Sequence, residues 1–191
     1  MIALDKSVRS RQDRVWIDSH DYLIHTDFCY WIAFSKKFEL MEKEGVNSFN
    51  LYELDYLYKI IKLGDQEYGI PENREAGYKE LCKFFRNDQP LPHSVGKQSN
   101  VKAVDWLIDS EYINCAFIQQ YGIDLIKADL HWHDFLSLFN GLRETKLTDI
   151  ISARYYSKSK KPKSYDPMDE MRLSWELESL AVFKKKLFVP K

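Results

Sequence analysis

His131 and His133, on either side of Trp132, are the closest-spaced pair of imidazoles in the chain. A shared metal ion requires both rings to converge on one point, and helical residues two apart diverge by about 200°. On a helix, then, His131 is expected to make a structural hydrogen bond and His133 to face solvent. No HExxH run and no closely spaced cysteine pair offers another ligand set. Cys115 is the candidate nucleophile, but it falls in an apolar helical stretch where a thiol stays protonated. There is no glycine-rich phosphate loop and no GxSxG, and the carboxylates fall on helix caps and polar faces. No catalytic, cofactor-binding or metal-binding residue is assigned, and the chain is read as a non-enzyme without cofactor. Lys158, Lys160, Lys161 and Lys163, with Tyr155, Tyr156 and Tyr165 around them, mix charge and rings as single-strand binders do. The same composition serves a solvated linker, and 28 basic against 29 acidic residues give a net charge of −1, so nucleic-acid binding is disfavoured.

These residues must be positioned by helices. At 191 residues, with 45% hydrophobic and 15% aromatic side chains, the chain has ample material for one core and buries roughly 70% of its unfolded surface. Seven glycines and six prolines argue against a turn-dense β-sandwich. Cys29, Cys82 and Cys115 are odd in number and far apart, which reads as reduced core residues of a cytosolic protein. The N-terminus carries charges where a leader needs apolar residues, and no run approaches the ~18 apolar residues of a membrane span. A cytoplasmic location with no membrane association is expected.

The organising stretch is 109–142. A first helix is expected over 110–121, capped by Asp109 and stopped by Gly122 in a left-handed conformation. Its side chains are apolar nearly all round, which predicts a helix enclosed by neighbours. A second helix over 130–140 sets Trp132, Phe135, Leu136 and Phe139 on one stripe, with Asp124 or Asp129 as its cap. The two are expected to pack as a central hairpin.

Around it, residues 1–14 read as a flexible arm and 15–24 as a small β-hairpin or an extended lead-in. Helices follow after Thr26 or Asp27 up to Gly45, from Leu51 to Gly64, and over 72–86 with Tyr78, Leu81, Cys82 and Phe85 inward. The stretch 87–100 is a long loop, and 145–155 is a further helix with Leu147, Ile150, Ile151 and Arg154 turned inward or along its edge. A basic linker leads to a terminal helical pattern over 168–186. The fold class is therefore all-α, about six helices around the 110–142 hairpin with a small N-terminal β-hairpin allowed. The divisions are 1–14 arm, 15–155 helical domain, and 156–191 linker and C-terminal helix.

The succession Tyr121-Gly122-Ile123-Asp124-Leu125, then His131-Trp132, Phe135, Gly141-Leu142, Ile150-Ile151 and Arg154, resembles the bacteriophage Gp15 family of tailed phages and prophages of Gram-positive bacteria. The resemblance covers residues 24–154 and is strongest from Asp109 onward. It implies that Tyr121, Gly122, Asp124, His131, Trp132, Phe135 and Arg154 are family-motif, structural residues. It also implies a non-enzymatic tail-module protein acting near the tape-measure protein, as tail assembly chaperones do. The tape-measure protein is the expected partner, with tail tube protein a second one and self-association left open. The cytoplasm is then that of the infected bacterial host. The rival expectation is a structural component of the virion tail or head-tail connector. The 28 aromatic rings suit such a role, because a domain of this size is expected to leave some of them as grooved apolar surface able to take an amphipathic helix.

Overall fold

The computed structural model describes residues 12–44, 50–63, 66–87, 102–156 and 166–175. The expected arm up to residue 11, the loop over 88–101, the basic run at 157–165 and the terminal pattern beyond 175 lie outside the described residues. The fold is mainly helical with a small N-terminal hairpin, as the sequence predicts.

Strands β1 (Arg14–Ile17) and β2 (His20–Leu23) pair antiparallel with Trp16 opposite Asp21. Asp18 and Ser19 make the two-residue turn at φ 48° and 67°, the sign that matches strand twist. Alternation turns Val15 and Ile17 inward and leaves Trp16 61% exposed. Helix α1 (Phe28–Glu44) starts where the Asp27 carboxylate accepts from the Cys29 amide at 2.9 Å.

The helix expected from Leu51 to Gly64 forms only in part. Asn50 caps a 3-10 helix at Leu51–Leu57, and the chain then turns into β3 (Ile61–Leu63) paired with β4 (Gln66–Tyr68). Tyr58 is drawn into a β-bridge with Ile24, and adjacent β-branched Ile60 and Ile61 favour extension over another helical turn. Helix α2 (Arg74–Phe85) is capped by Asn73 and buries Gly77, Leu81 and Phe84. Of the residues expected inward, Leu81 is buried and Phe85 packs half-buried against Trp31, Phe34 and Trp132, while Tyr78 and Cys82 are half-buried. An added Cβ on Gly77 would lie 2.6 Å from the Tyr58 hydroxyl and 3.2 Å from Pro71 Cγ, so the close approach requires glycine.

Helices α3 (Ser110–Tyr121), α4 (Trp132–Asn140), α5 (Lys146–Tyr155) and α6 (Pro167–Ser174) complete the described chain. Two compact units emerge. Unit one gathers the described residues of Met1–His93 with Asp129–Ser137; unit two gathers those of Ser94–Ala128 and Leu138–Lys191. The expected hairpin is therefore divided. Helix α3 packs on α5 within unit two, whereas Trp132 to Ser137 of α4 belong to unit one. Trp132 and Phe135 of the α4 stripe join an assembly of rings there, described below, whereas Phe139 meets Trp106 in unit two.

Helix α3 is also not enclosed. It buries Ile113, Ala116 and Phe117 but exposes Cys115, Ile118, Gln119 and Gln120. Cys29 and Cys115 are exposed and Cys82 is half-buried, so the cysteines are not core residues, although all three are free thiols. Partial burial and the Asp27 carboxylate push the Cys29 thiol up to about 11, which keeps it protonated. No described helix is long and apolar enough to cross a membrane.

Candidate functional site

Unit one is held by aromatic rings. Trp31, Phe34, Phe84 and Phe135 are fully buried, with Trp31 4.5 Å from Phe84 and Phe34 5.1 Å from Phe85 between centroids. Trp132 stacks on Phe85 at 5.2 Å and donates its indole N–H to the Phe85 carbonyl at 2.9 Å. Phe135 stacks on Phe28 at 4.9 Å. Burying rings of this size supplies on the order of several kcal/mol of hydrophobic and ring-contact stabilisation.

His131 stands just before α4 in a β-bridge with Asp27 rather than on the helix. Its Nδ1 accepts from the His133 amide at 3.2 Å, a cap on the first turn, which fixes the proton on Nε2; that atom donates to the Gln12 carbonyl at 3.0 Å. His133 corrects the expectation of a solvated ring. It is 4% exposed and bonded through Nε2 to the Phe84 carbonyl at 2.7 Å. Because His131 is extended, the two rings approach to 5.0 Å instead of diverging. Both nitrogens of His131 and Nε2 of His133 serve backbone groups, and among the described residues no group of three His, Cys, Asp or Glu side chains is arranged to hold a metal.

Unit two is organised by one buried ion pair. Arg154 and Asp109 have side chains 2% and 1% exposed and meet bidentately, Nη1 to Oδ2 at 2.7 Å and Nη2 to Oδ1 at 2.8 Å. Arg154 also donates from Nη1 to the Ala103 carbonyl at 2.7 Å and from Nε to the Trp175 carbonyl at 2.8 Å. Asp109 Oδ2 takes the Asp105 amide at 2.9 Å. Each polar atom is satisfied, the condition under which a buried pair is tolerated. The pair also explains why Asp109 does not cap α3 with its side chain. Asp105 shapes the preceding turn, accepting from the Leu107 and Ile108 amides at 2.9 Å each. Burial raises its carboxyl, but the Ile108 amide, Lys102 and the Leu107 amide together outweigh that and hold it below the usual range.

At the other end of α3, Gly122 closes the helix at φ 68°, its N–H returning to the Ile118 carbonyl. Tyr121 donates its hydroxyl to the Leu138 carbonyl at 2.8 Å. Asp124 caps no helix. Its side chain accepts from the Ile126 amide at 3.1 Å and meets Lys127 at 3.0 Å, while Asn114 accepts from the Leu125 amide at 2.8 Å. Lys127 first, then the Ile126 amide, holds the Asp124 carboxyl below the usual range.

The seven motif residues thus fall in two groups, His131, Trp132 and Phe135 in unit one, and Tyr121, Gly122, Asp124 and Arg154 in unit two. Sequence reasoning missed Asp109 as the partner of Arg154. The available signal was an arginine set in an otherwise apolar helical face. Residues 12–177 match the family described as Bacteriophage Gp15 protein. No curated protein and no solved structure matches the chain.

Proposed function

From the premise that this chain belongs to the bacteriophage Gp15 protein family, a family of phage structural and assembly proteins, we propose that it is a tail assembly factor. It chaperones the tape-measure protein until the tail tube polymerises, with tail tube protein as a second contact. Family membership across residues 12–177 is the observation that carries this reading.

Exposed apolar side chains support the mechanism. Trp16 and Tyr52 in unit one, and Leu107 and Ile118 in unit two, stand largely in solvent, and Ile126 is 85% exposed. Large apolar side chains held on a strand, a helix and hydrogen-bonded turns suit the masking of amphipathic helical stripes, the mode by which a long helical partner is kept from aggregating. The hydrogen-bonded turn that presents Ile126 lowers the ordering entropy of binding. The work is done in the host cytoplasm.

Co-expression with the tape-measure protein of the same phage, followed by affinity capture and size-exclusion chromatography, tests the proposal. Co-elution, with the tape-measure protein soluble only in this chain's presence, is the expected result. A tape-measure protein that stays insoluble and unbound, while this chain is found stoichiometrically in purified virions, replaces it with a structural tail component.

A further inference from the structure

Helix α6 packs along α5 at the surface, and specific bonds engage both its ends. None of its residues is buried. At its start, Asp166 caps the Met168 amide through Oδ1 at 3.1 Å and accepts the Tyr156 hydroxyl through Oδ2 at 2.6 Å. At its end, Trp175 gives its carbonyl to Arg154 Nε at 2.8 Å. The Trp175 ring stands edge-on to Tyr112 at 5.2 Å and 89°, with Lys146 Nζ 5.6 Å from its centroid.

Tyr112, Lys146, Arg154 and Tyr156 lie on α3, on α5 and on the residue that follows α5. The features of α6 that they engage are general to a short helix: a carboxylate at the N-cap, a main-chain carbonyl at the last turn and an aromatic ring beside it. Release also costs little in orphaned charge. Arg154 makes four hydrogen bonds, and the three to Asp109 and Ala103 remain when the Trp175 carbonyl departs. The acceptor is thus complete without α6, and what α6 contributes is an occupant.

We propose that α6 is a detachable strap, a built-in stand-in for the partner on the α3 and α5 acceptor. When it lets go, the acceptor takes an amphipathic helix of the tape-measure protein bearing a carboxylate at its N-cap and an aromatic residue after its last turn. The inference rests on the chaperone reading and adds its regulation, since binding is weakened by the fraction of molecules in which the strap is closed.

The test uses the full chain carrying Asp166→Ala together with Trp175→Ala, which loosens both ends of α6 from the strap side and leaves the acceptor side chains Tyr112, Lys146, Arg154 and Tyr156 untouched. Hydrogen exchange reports the strap, and capture of the tape-measure protein reports the acceptor. Expected are fast exchange over 166–175 with α3 and α5 still protected, and capture about tenfold tighter than wild type. If α3 or α5 loses protection, the single change Asp166→Ala, which removes the N-cap of α6 and its bond from Tyr156 but no acceptor group, must still tighten capture by about twofold or more. Equal or weaker capture by the loosened chain overturns the strap while the proposed function stands. Protection of α6 that persists in the double variant overturns it too. Capture by neither the wild-type nor the loosened chain overturns the proposed function and the strap together.

Discussion

Arg154 is buried with Asp109, so what matters at that position is an unpaired charge more than a lost attraction. Arg154→Leu leaves the Asp109 carboxylate without its guanidinium at 1% exposure, and urea unfolding should show a loss of about 3–5 kcal/mol. Arg154→Lys should recover only part of it, because one ammonium cannot reproduce two parallel bonds to the carboxylate and one to each of two carbonyls. Gly122 is a different kind of requirement. A Cβ there would meet nothing within 4 Å, so Gly122→Ala should cost about 1–2 kcal/mol through its φ of 68° alone, with Gly122→Asn milder. Asparagine tolerating what alanine does not, measured by thermal unfolding, separates conformational strain from crowding. Gly122 was readable from sequence because a glycine after an apolar helical run has a local meaning. The inward turn of Arg154 was partly readable from its position on α5, but its partner 45 residues earlier was not, because no local rule couples the two.

At the scale of elements, the same glycine logic gives the opposite result at Gly77. Its neighbours are the Tyr58 hydroxyl and Pro71, so Gly77→Ala should destabilise by about 1–3 kcal/mol through overpacking. A smaller loss would mean that Tyr58 yields. The segment joining β2 to α1 carries a pH dependence. His25 stacks on Tyr30 at 4.4 Å and 5°, and burial, with Lys59 adding to it, lowers its pKa below 6.5. The unfolded chain therefore binds this proton more readily, so the stability is present above pH 6.5 and is lost as pH falls through the lowered folded value. Stability measured by urea at pH 7.5 and at 5.5 should fall between the two in wild type and fall less in His25→Gln. Asp105 acts lower on the scale, its contribution present above its unfolded 3.8 and lost as pH drops through its lowered folded value. Helix starts at Asp27, Asn73 and Thr145 follow from capping side chains adjacent in sequence. The failure at 51–64 has the converse cause. Its apolar spacing fits a helix, but the bridge from Ile24 to Tyr58 is a partnership with a distant strand that periodicity does not register.

At the scale of the whole molecule, the proposed function draws on apolar contact, for which Trp16 and Ile126 among others are exposed. If the chain is an assembly factor, quantitative mass spectrometry of purified virions should find it far below one copy per tail, while infected-cell lysates contain it in complex with the tape-measure protein. Recovery at fixed stoichiometry in the particle would mark it as a structural component instead. The sequence by itself determined the helical class, the ends of most helices and the family, and allowed the N-terminal hairpin beside an extended lead-in, because each rests on neighbours within a turn or two or on a succession of residues. Only the tertiary structure decided that Trp132 to Ser137 of α4 belong to a different compact unit from α3, that His133 is buried and that Arg154 meets Asp109. The physical reason is common to all three. An apolar stripe or a charge states what it must bury or pair with, but the choice among several sufficient partners is made by which rings and backbone groups the rest of the chain brings within reach.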